Sequence, residues 1–424
     1  MKRSIATISL LPIMAFIIAC EKKEPPLAGT RVSIFSMQSQ GTKDGDILLD
    51  RPVHNAEWFG EGGNSRNNPG HLAGRKEFDK VWTVNIGRSI GHRMIVYPPV
   101  VMDGIIFAID GDSTVTALDF ETGEVLWENR GLAHDEPIGF GALTGAPESE
   151  TTESGRIFAI SSNGFTASFD SKTGAAIWKT DLKTELKSPP RICDGLMLFV
   201  SGSGELFALD ANTGERKFSR RTLPDPFGFF RGSAPACVDG GAIIAFPNGE
   251  VHKISLPAGR TGWMQPIAFA GIKDINTMSD IVSNPVVSGN TVFVKAYSGR
   301  MHAIDIETGR GAWNRSDSGQ TTPVISGKVM FDIDGGHTLS AMDMETGKTL
   351  WSAVLETKGT PLSPLLVNNQ LLIGTTSGYL YRFDPYTGKP LDKALNLTSS
   401  MDSAPIVVNG RLLVISHGNL SMFK

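Results

Sequence analysis

The sequence predicts an all-β fold, an eight-bladed β-propeller of four-stranded antiparallel blades, and three observations lead to it. A motif of the form D-x-x-T-G, followed by an aromatic residue, recurs about every 40 to 50 residues, a period typical of propeller blades. Short alternating or apolar runs bounded by Gly, Asn and Asp lie between the motifs, without helical periodicity. The C-terminal segment supplies three strands of a blade, and the missing fourth lies near the N-terminus.

The repeated motif predicts a tight hairpin that leads into the outer strand of each blade. Its aspartate can accept hydrogen bonds from N–H groups of the turn, and its glycine adopts a positive φ at little cost. The aromatic residue four or five positions later, such as Trp127 in "ALDFETGEVLW", is expected to pack between neighbouring sheets. The motif glycines are Gly123, Gly174, Gly214, Gly259, Gly309, Gly347 and Gly388.

The ring is predicted to close with strands from both ends of the chain. "SAPIVVNGRLLVISHGNLSMFK" contains three strands, and "FDKVWTVNIG" places Trp82 where the repeats place their aromatic residue. We expect this N-terminal strand to complete the last blade, because closure removes an exposed strand edge. Seven blades is the main alternative, since the repeat around Gly259 is degraded.

The N-terminal sequence "MKRSIATISLLPIMAFIIAC" predicts an export signal. It has a basic start, an apolar run too short for a stable membrane span, and small residues before Cys20. Its end resembles a bacterial lipobox, so we expect residues 1–19 to be removed and Cys20 to be acylated. An ordinary secretory signal is the alternative. Residues 20–75 then form a lipidated N-terminus with a tether and lead-in, and residues 76–424 form the propeller.

Charge and motif content argue against several classes of function. The formal net charge is −4 at pH 7, without the basic patch that nucleic acid requires. The sequence lacks a phosphate loop, G-x-S-x-G, H-E-x-x-H, and Cys or His pairs at metal-ligand spacing. "DGDST", residues 110–114, predicts a hairpin turn rather than a calcium loop. We therefore expect no catalytic residues, no metal and no cofactor.

The two cysteines beyond Cys20 are expected to be buried free thiols. Cys193 and Cys237 occupy matching positions on the innermost strands of successive blades. A disulfide between them would need Cα atoms within about 7 Å.

The blade signature A-L-D-x-x-T-G-x-x-x-W resembles that of quinoprotein-type propellers. Together with the lipobox and tether, the eight blades resemble the BamB family, lipoproteins of the outer-membrane β-barrel assembly machinery. "PPLAGTRVSIF" and "EWFGEGGNSRNNPGHLAG" are similar to the lead-in of alphaproteobacterial members.

The resemblance implies a non-catalytic scaffold at the periplasmic face of the outer membrane, anchored through acylated Cys20. The implied partners are BamA, other subunits of the assembly machinery and unfolded outer-membrane proteins. The alternative is a periplasmic quinoprotein-like propeller with a redox activity or a bound cofactor. A quinone-dependent enzyme of that type would contain an adjacent-cysteine disulfide and a calcium carboxylate cluster, and this sequence has neither pattern.

Two connectors between blades carry the predicted docking site. "FFRGSAP" resembles the L-R-G-x-S-A-P loop of the family, and "MSDIVSNPVV" resembles its L-S-D-x-D-x-x-P-V-V loop. In the family both loops contact the POTRA domains of BamA. Phe230, Arg231 and Asp280 match the family pattern, whereas Gly228 and Val282 depart from it.

Phe227 and Phe229 add apolar area beside the matching residues, and an exposed apolar patch usually marks a partner site. Both connectors link the outer strand of one blade to the inner strand of the next, so we expect them side by side on one rim. The alternative is that the three phenylalanines fold inward and fill a groove between blades.

Overall fold

The computed structural model describes residues 47–87, 97–132, 141–146, 155–223, 231–268, 280–297 and 299–424. These residues form β-strands and turns without any helix, and so without an apolar helix of membrane-spanning length. Eight sheets, each built mainly from consecutive antiparallel strands, form an eight-bladed propeller. The predicted fold class is confirmed.

Strands are numbered in chain order, and within a blade the innermost strand comes first. Two strands precede the first blade: β1 (His71–Leu72) and β2 (Lys80–Asn85). Blade 1 contains β3 (Val100–Met102), β4 (Ile105–Ile109), β5 (Val115–Asp119) and β6 (Val125–Asn129). Blade 2 contains β7 (Gly141–Gly145), β8 (Arg156–Ser161), β9 (Phe165–Asp170) and β10 (Ala176–Asp181). Blade 3 contains β11 (Arg191–Cys193), β12 (Leu196–Val200), β13 (Glu205–Asp210) and β14 (Arg216–Arg221). Blade 4 contains β15 (Ala236–Val238), β16 (Gly241–Ala245), β17 (Glu250–Ser255) and β18 (Arg260–Pro266).

The second half of the ring repeats the arrangement. Blade 5 contains β19 (Val286–Ser288), β20 (Thr291–Lys295), β21 (Met301–Asp305) and β22 (Gly311–Arg315). Blade 6 contains β23 (Val324–Ser326), β24 (Val329–Ile333), β25 (Thr338–Asp343) and β26 (Thr349–Val354). Blade 7 contains β27 (Leu365–Val367), β28 (Gln370–Gly374), β29 (Tyr379–Phe383) and β30 (Leu395–Asn396), with β1 added in parallel to β27. Blade 8 contains β31 (Ile406–Val408), β32 (Arg411–Ser416), β33 (Asn419–Phe423) and the N-terminal β2.

Each D-x-x-T-G motif forms the tight turn that its sequence predicts. In the first repeat, Asp119 Oδ1 accepts hydrogen bonds from the N–H of Thr122 at 2.8 Å and from its hydroxyl at 2.9 Å. These hydrogen bonds lower the pKa of Asp119. The seven motif glycines have φ values from +65° to +73°, which favours glycine over other residues.

Neighbouring blades meet where an aromatic ring of one outer strand packs on the motif glycine of the next blade. A Cβ atom on Gly174 would lie 2.5 Å from the Trp127 ring, so only glycine fits under it. The Nε1 of Trp127 donates a hydrogen bond to Ser171 O at 2.9 Å in the same turn. The seven pairs are Trp82–Gly123, Trp127–Gly174, Trp178–Gly214, Phe218–Gly259, Trp263–Gly309, Trp313–Gly347 and Trp351–Gly388.

The predicted closure by the N-terminal strand is confirmed. β2 pairs antiparallel with β33, from Lys80 opposite Phe423 to Asn85 opposite Asn419. The eighth junction, between blades 7 and 8, has Asp392 in place of an aromatic residue. Arg382 Nε donates to Asp392 Oδ1 at 3.1 Å, and the same guanidinium contacts Lys76 O, so a polar cluster lies at this junction.

Residues 50–74 form a segment that we call the inner hoop, because it follows the innermost strands around the ring. It begins against blade 6, where Asp50 N donates to Ser326 Oγ, and it ends against blade 8, where Gly74 bridges Gly410. Its hydrogen bonds join Asn55 to Asn409 in blade 8, Trp58 to Val101 in blade 1, Phe59 to Gly145 in blade 2, Glu61 to Arg191 in blade 3, Ser65 to Cys237 in blade 4, Arg66 to Val287 in blade 5, Asn68 to Ile325 in blade 6, and Leu72 to Asn368 in blade 7. The chain therefore completes one full circuit of the ring and contacts every blade.

The prediction of free thiols at Cys193 and Cys237 is wrong. The two residues form a disulfide with a Cα–Cα distance of 5.6 Å. They lie on β11 and β15, the innermost strands of blades 3 and 4. Innermost strands converge towards the axis, so matching positions on adjacent blades come within the span of a disulfide.

The "DGDST" segment forms the predicted turn. Asp110 Oδ1 accepts hydrogen bonds from Asp112 N at 3.0 Å and from Thr114 N at 2.7 Å. Its carboxylate therefore caps the connection between β4 and β5.

Candidate functional site

Arg231 and Asp280 lie in two consecutive connectors between blades. The blade 3–4 connector is residues 222–235, between β14 and β15, and the blade 4–5 connector is residues 267–285, between β18 and β19. Both emerge on the same face of the ring, which we call the connector rim. The two side chains line one small cavity together with Lys187, Ser201 and Pro247.

Other residues of the predicted site lie outside the described part of the chain. These are the three phenylalanines of the blade 3–4 connector, Phe227, Phe229 and Phe230, and the lipidation residue Cys20. The geometry of the site is therefore described from Arg231, Asp280 and their neighbours.

Arg231 is held on two sides. Its Nη2 lies 2.5 Å from Glu61 Oε1, and its guanidinium carbon lies 5.2 Å from the centre of the Tyr97 ring. Burial disfavours the charged form, but Glu61 and Tyr97 together outweigh it, so the pKa of Arg231 is raised. The guanidinium therefore stays charged, and 33% of the side chain is exposed at the rim.

Tyr97 fixes the backbone next to Arg231. Its hydroxyl donates to Lys187 O at 2.7 Å and accepts from Gly232 N at 3.2 Å. Burial raises the pKa of Tyr97, so the phenol keeps the proton that it donates. The ring that stacks on Arg231 and the hydroxyl that binds Gly232 belong to one rigid side chain.

Asp280 is only 2% exposed, although the sequence suggested an acidic contact residue. Its carbonyl oxygen accepts a hydrogen bond from Tyr297 N at 3.0 Å. Asp280 therefore lies below the surface of the connector rim, whereas the side chain of Arg231 is partly exposed there.

Asn284 ties the two connectors together. It is buried in the blade 4–5 connector, and its Oδ1 accepts a hydrogen bond from Ala234 N of the blade 3–4 connector at 2.8 Å. Its Nδ2 donates to Thr322 Oγ1 and to Glu61 Oε1, each at 3.1 Å.

Glu61 is a residue of this site that the sequence did not reveal. It lies on the inner hoop, is 7% exposed, and uses one oxygen, Oε1, to accept hydrogen bonds from both Arg231 and Asn284. The only signal in the sequence was an acidic residue between glycines in "FGEGG". Those glycines allow a sharp bend, because Gly62 has φ +76° and a Cβ there would lie 2.6 Å from Asn67 Oδ1.

Asn67 connects the inner hoop to both connectors near the axis. Its Nδ2 donates to Ala234 O at 3.2 Å and to Pro285 O at 3.0 Å, and its Oδ1 accepts from Arg191 Nη2 at 2.7 Å. The hoop therefore fixes the ends of both connectors, where they enter β15 and β19. Within the described ranges, no group of three or more His, Cys, Asp or Glu side chains could hold a metal ion.

The model of a protein family described as "Outer membrane protein assembly factor BamB" matches residues 78–138, 132–334 and 316–423. The chain belongs to the BamB family. A BamB-family relative from Yersinia pestis, described as an outer membrane protein assembly factor, is 28% identical over 238 residues. That alignment covers 56% of this chain and spans 60% of the length of the relative.

Solved structures show the same fold at lower sequence identity. BamB from Moraxella catarrhalis has a TM-score of 0.68 at 17% identity, covering 82% of this chain and 100% of that one. A quinohemoprotein alcohol dehydrogenase from Comamonas testosteroni has a TM-score of 0.67 at 14% identity, covering 88% of this chain and 81% of that one. Since BamB-family members and dehydrogenases share this propeller, the fold alone does not decide the function.

Proposed function

We propose that this BamB-family chain is a non-catalytic scaffold of the outer-membrane protein assembly machinery. It is anchored to the periplasmic face of the outer membrane through acylated Cys20 and docks on the POTRA domains of BamA. The observation that carries the proposal is the placement of the two connectors that resemble the family's docking loops. They lie on one rim, and Arg231 and Asp280 line the same cavity there.

Arg231 and the phenylalanines before it are the proposed contact residues. Arginine and aromatic side chains dominate the energy of many protein interfaces, and Arg231 is exposed beside Phe229 and Phe230 in the chain. Asp280 belongs to the same site and supports it from within the rim.

The inner hoop leaves little free space at the axis of the ring. The cavity at the axis, lined by Trp58, Glu61, Asn67 and several prolines, has a volume of about 40 Å³. Cofactor pockets usually measure about 300 to 1,000 Å³, so a quinone does not fit at this place. A quinoprotein-like redox propeller is the competing function, favoured by the shared fold of the alcohol dehydrogenase.

Unfolded outer-membrane proteins are the proposed clients. The outer strands carry exposed apolar side chains, among them Val125, Leu126 and Met264, beside unpaired strand edges. Such an edge can receive an extended segment by strand addition.

The proposal is tested by binding of the full-length protein, purified in detergent, to the isolated POTRA segment of BamA. Truncation of a central arginine costs about 2 kcal/mol or more, so Arg231→Ala should weaken binding by roughly thirtyfold. Arg310→Ala, an exposed arginine in a motif turn on the opposite face, is the matched control and should bind as the parent does. Unchanged binding of Arg231→Ala, or a parent protein that does not bind, would contradict the proposal.

A further inference from the structure

We propose that Glu61 is a positioning residue for partner docking, because it holds the two connectors of the docking site in one arrangement. The inference rests on the proposed function and adds to it a residue that lies outside both connectors. Glu61 acts on the partner through Arg231 and Asn284, without touching the partner itself.

One oxygen atom of Glu61 contacts both connectors. Glu61 Oε1 lies 2.5 Å from Nη2 of Arg231 in the blade 3–4 connector and 3.1 Å from Nδ2 of Asn284 in the blade 4–5 connector. Its other oxygen, Oε2, is buried without a hydrogen-bond partner among the described residues. The polar contacts of the carboxylate therefore go to the two connectors that form the proposed docking site.

The position of Glu61 is set by the inner hoop. Phe59 N donates to Gly63 O at 2.8 Å and Gly63 N donates to Gly60 O at 2.9 Å, which closes a tight turn around Glu61. The Glu61 carbonyl also accepts a hydrogen bond from the buried Arg191 in β11. The hoop and Arg191, rather than either connector, therefore set the backbone position of Glu61.

The contact between Glu61 and Arg231 is also electrostatic. A buried carboxylate needs a charged or hydrogen-bonded partner, and Arg231, whose side chain is 33% exposed, supplies the charge. Arg231 lies between Glu61 on one side and the Tyr97 ring on the other, and these two contacts restrain its orientation at the rim. With a neutral side chain at position 61, Arg231 loses its counter-charge, and its guanidinium turns towards water.

Glu61 therefore determines what a partner meets at the rim. The partner meets a fixed, partly neutralised guanidinium on an aromatic ring instead of a mobile cation. A surface that is ordered before binding loses less conformational entropy when the complex forms.

The test is a double-mutant cycle on the full-length protein with the isolated POTRA segment. Glu61→Gln keeps the shape of the side chain, and we expect it to weaken binding by about tenfold. The double variant Glu61→Gln/Arg231→Ala should lose less binding than the product of the two single losses, because part of the Glu61 effect passes through Arg231. Glu77→Gln, an exposed glutamate just before β2, is the control and should leave binding unchanged.

Two outcomes would overturn the inference: parent-like binding of Glu61→Gln, or losses of the two single variants that multiply in the double variant. Asn284→Ala, which removes the second hydrogen bond to Oε1, provides a second variant if Glu61→Gln does not fold. It should also weaken binding.

Amide hydrogen exchange without any partner separates this inference from the proposed function. The N–H of Gly232 donates to Lys187 O and to the Tyr97 hydroxyl, and the N–H of Ala234 donates to Asn284 Oδ1; both should exchange faster in Glu61→Gln. The N–H of Gly388, in a distant motif turn, should not change. If the parent does not bind POTRA domains, the proposed function fails, while unchanged exchange at Gly232 and Ala234 would sink the positioning role alone.

Discussion

The periphery and the centre of the propeller hold the same blades together through different kinds of contact. At the outer junctions one contact is repeated seven times, with an aromatic ring packed on a motif glycine. At the centre the inner hoop contacts most blades through its backbone carbonyls, which accept N–H groups such as those of Gly145 and Cys237, and it contacts blade 3 through a carbonyl that binds Arg191. A side-chain contact that is repeated in every blade leaves a periodic pattern in the sequence, whereas backbone contacts made by one segment leave none.

The largest effect is expected at an outer junction, where two glycines provide a matched comparison. Gly388 and Gly195 have φ values of +68° and +72°, so alanine costs about 1 to 2 kcal/mol of backbone strain at either. A Cβ on Gly388 would lie 2.5 Å from the Trp351 ring, whereas a Cβ on Gly195 meets nothing within 4 Å. Overpacking should add about 1 to 3 kcal/mol at Gly388 alone, measured as the free energy of unfolding in urea. Equal losses in the two variants would show that the ring-on-glycine contact does not stabilise the junction.

The next effect concerns the inner ring, where the disulfide joins blades 3 and 4. Cys193 and Cys237 are separated by 44 positions, and a crosslink over a loop of that length stabilises a fold by about 2 to 4 kcal/mol. Dithiothreitol should lower the free energy of unfolding of the parent by that amount. The Cys193→Ala/Cys237→Ala variant should already be less stable and should not respond to the reductant. A parent that is insensitive to reduction would argue that the bond does not form.

The smallest effect is a pH dependence that comes from the hoop. Asn369 N–H donates to Nε2 of the buried His71 at 2.9 Å, so the proton of the neutral ring is on Nδ1, which lies 2.6 Å from Asp50 O. Burial lowers the pKa of His71. In the unfolded state the pKa of His71 is about 6.5, so its imidazole binds a proton at a pH where the folded state keeps it neutral. This contribution to stability is complete above about pH 6.5 and is lost as the pH falls towards the lowered folded pKa.

The measurement for His71 is the melting temperature between pH 7.5 and pH 5.5. The pKa values of His252 and His302 are also lowered by burial, so the parent should lose stability on acidification through several groups. His71→Gln should have a shallower dependence on pH than the parent. Parallel curves would mean that the hoop histidine is protonated as easily in the folded state as in the unfolded one.

The sequence was sufficient to predict the blades and the closure of the ring. The motif glycines and the place of Trp82 predicted eight blades and the N-terminal strand, because hairpin chemistry and ring packing act over a few residues. It was insufficient for Glu61, whose partners Arg231 and Asn284 are 170 and 223 positions away. It also misled us on Cys193 and Cys237, since the convergence of inner strands is a distance in space that sequence spacing does not contain.

The arrangement of the proposed docking residues was predicted only in part. Consecutive connectors had to share a rim, and Arg231 and Asp280 do line one cavity. That Asp280 is buried could not be predicted, because the exposure of one side chain depends on the neighbouring blades. Whether Phe227, Phe229, Phe230, Arg231 and Asp280 contact BamA stays a prediction.

The circuit of the inner hoop also governs how the protein reaches its folded state. The hoop is synthesised before any blade, yet Asn55 donates to Val407 O across 352 positions. A chain dominated by such distant contacts folds slowly, since a long loop must close before the contact stabilises it. Until the last strands arrive, the growing ring has open strand edges that can pair with other chains. Folding of this protein therefore includes an interval in which the partly built ring depends on protection from aggregation.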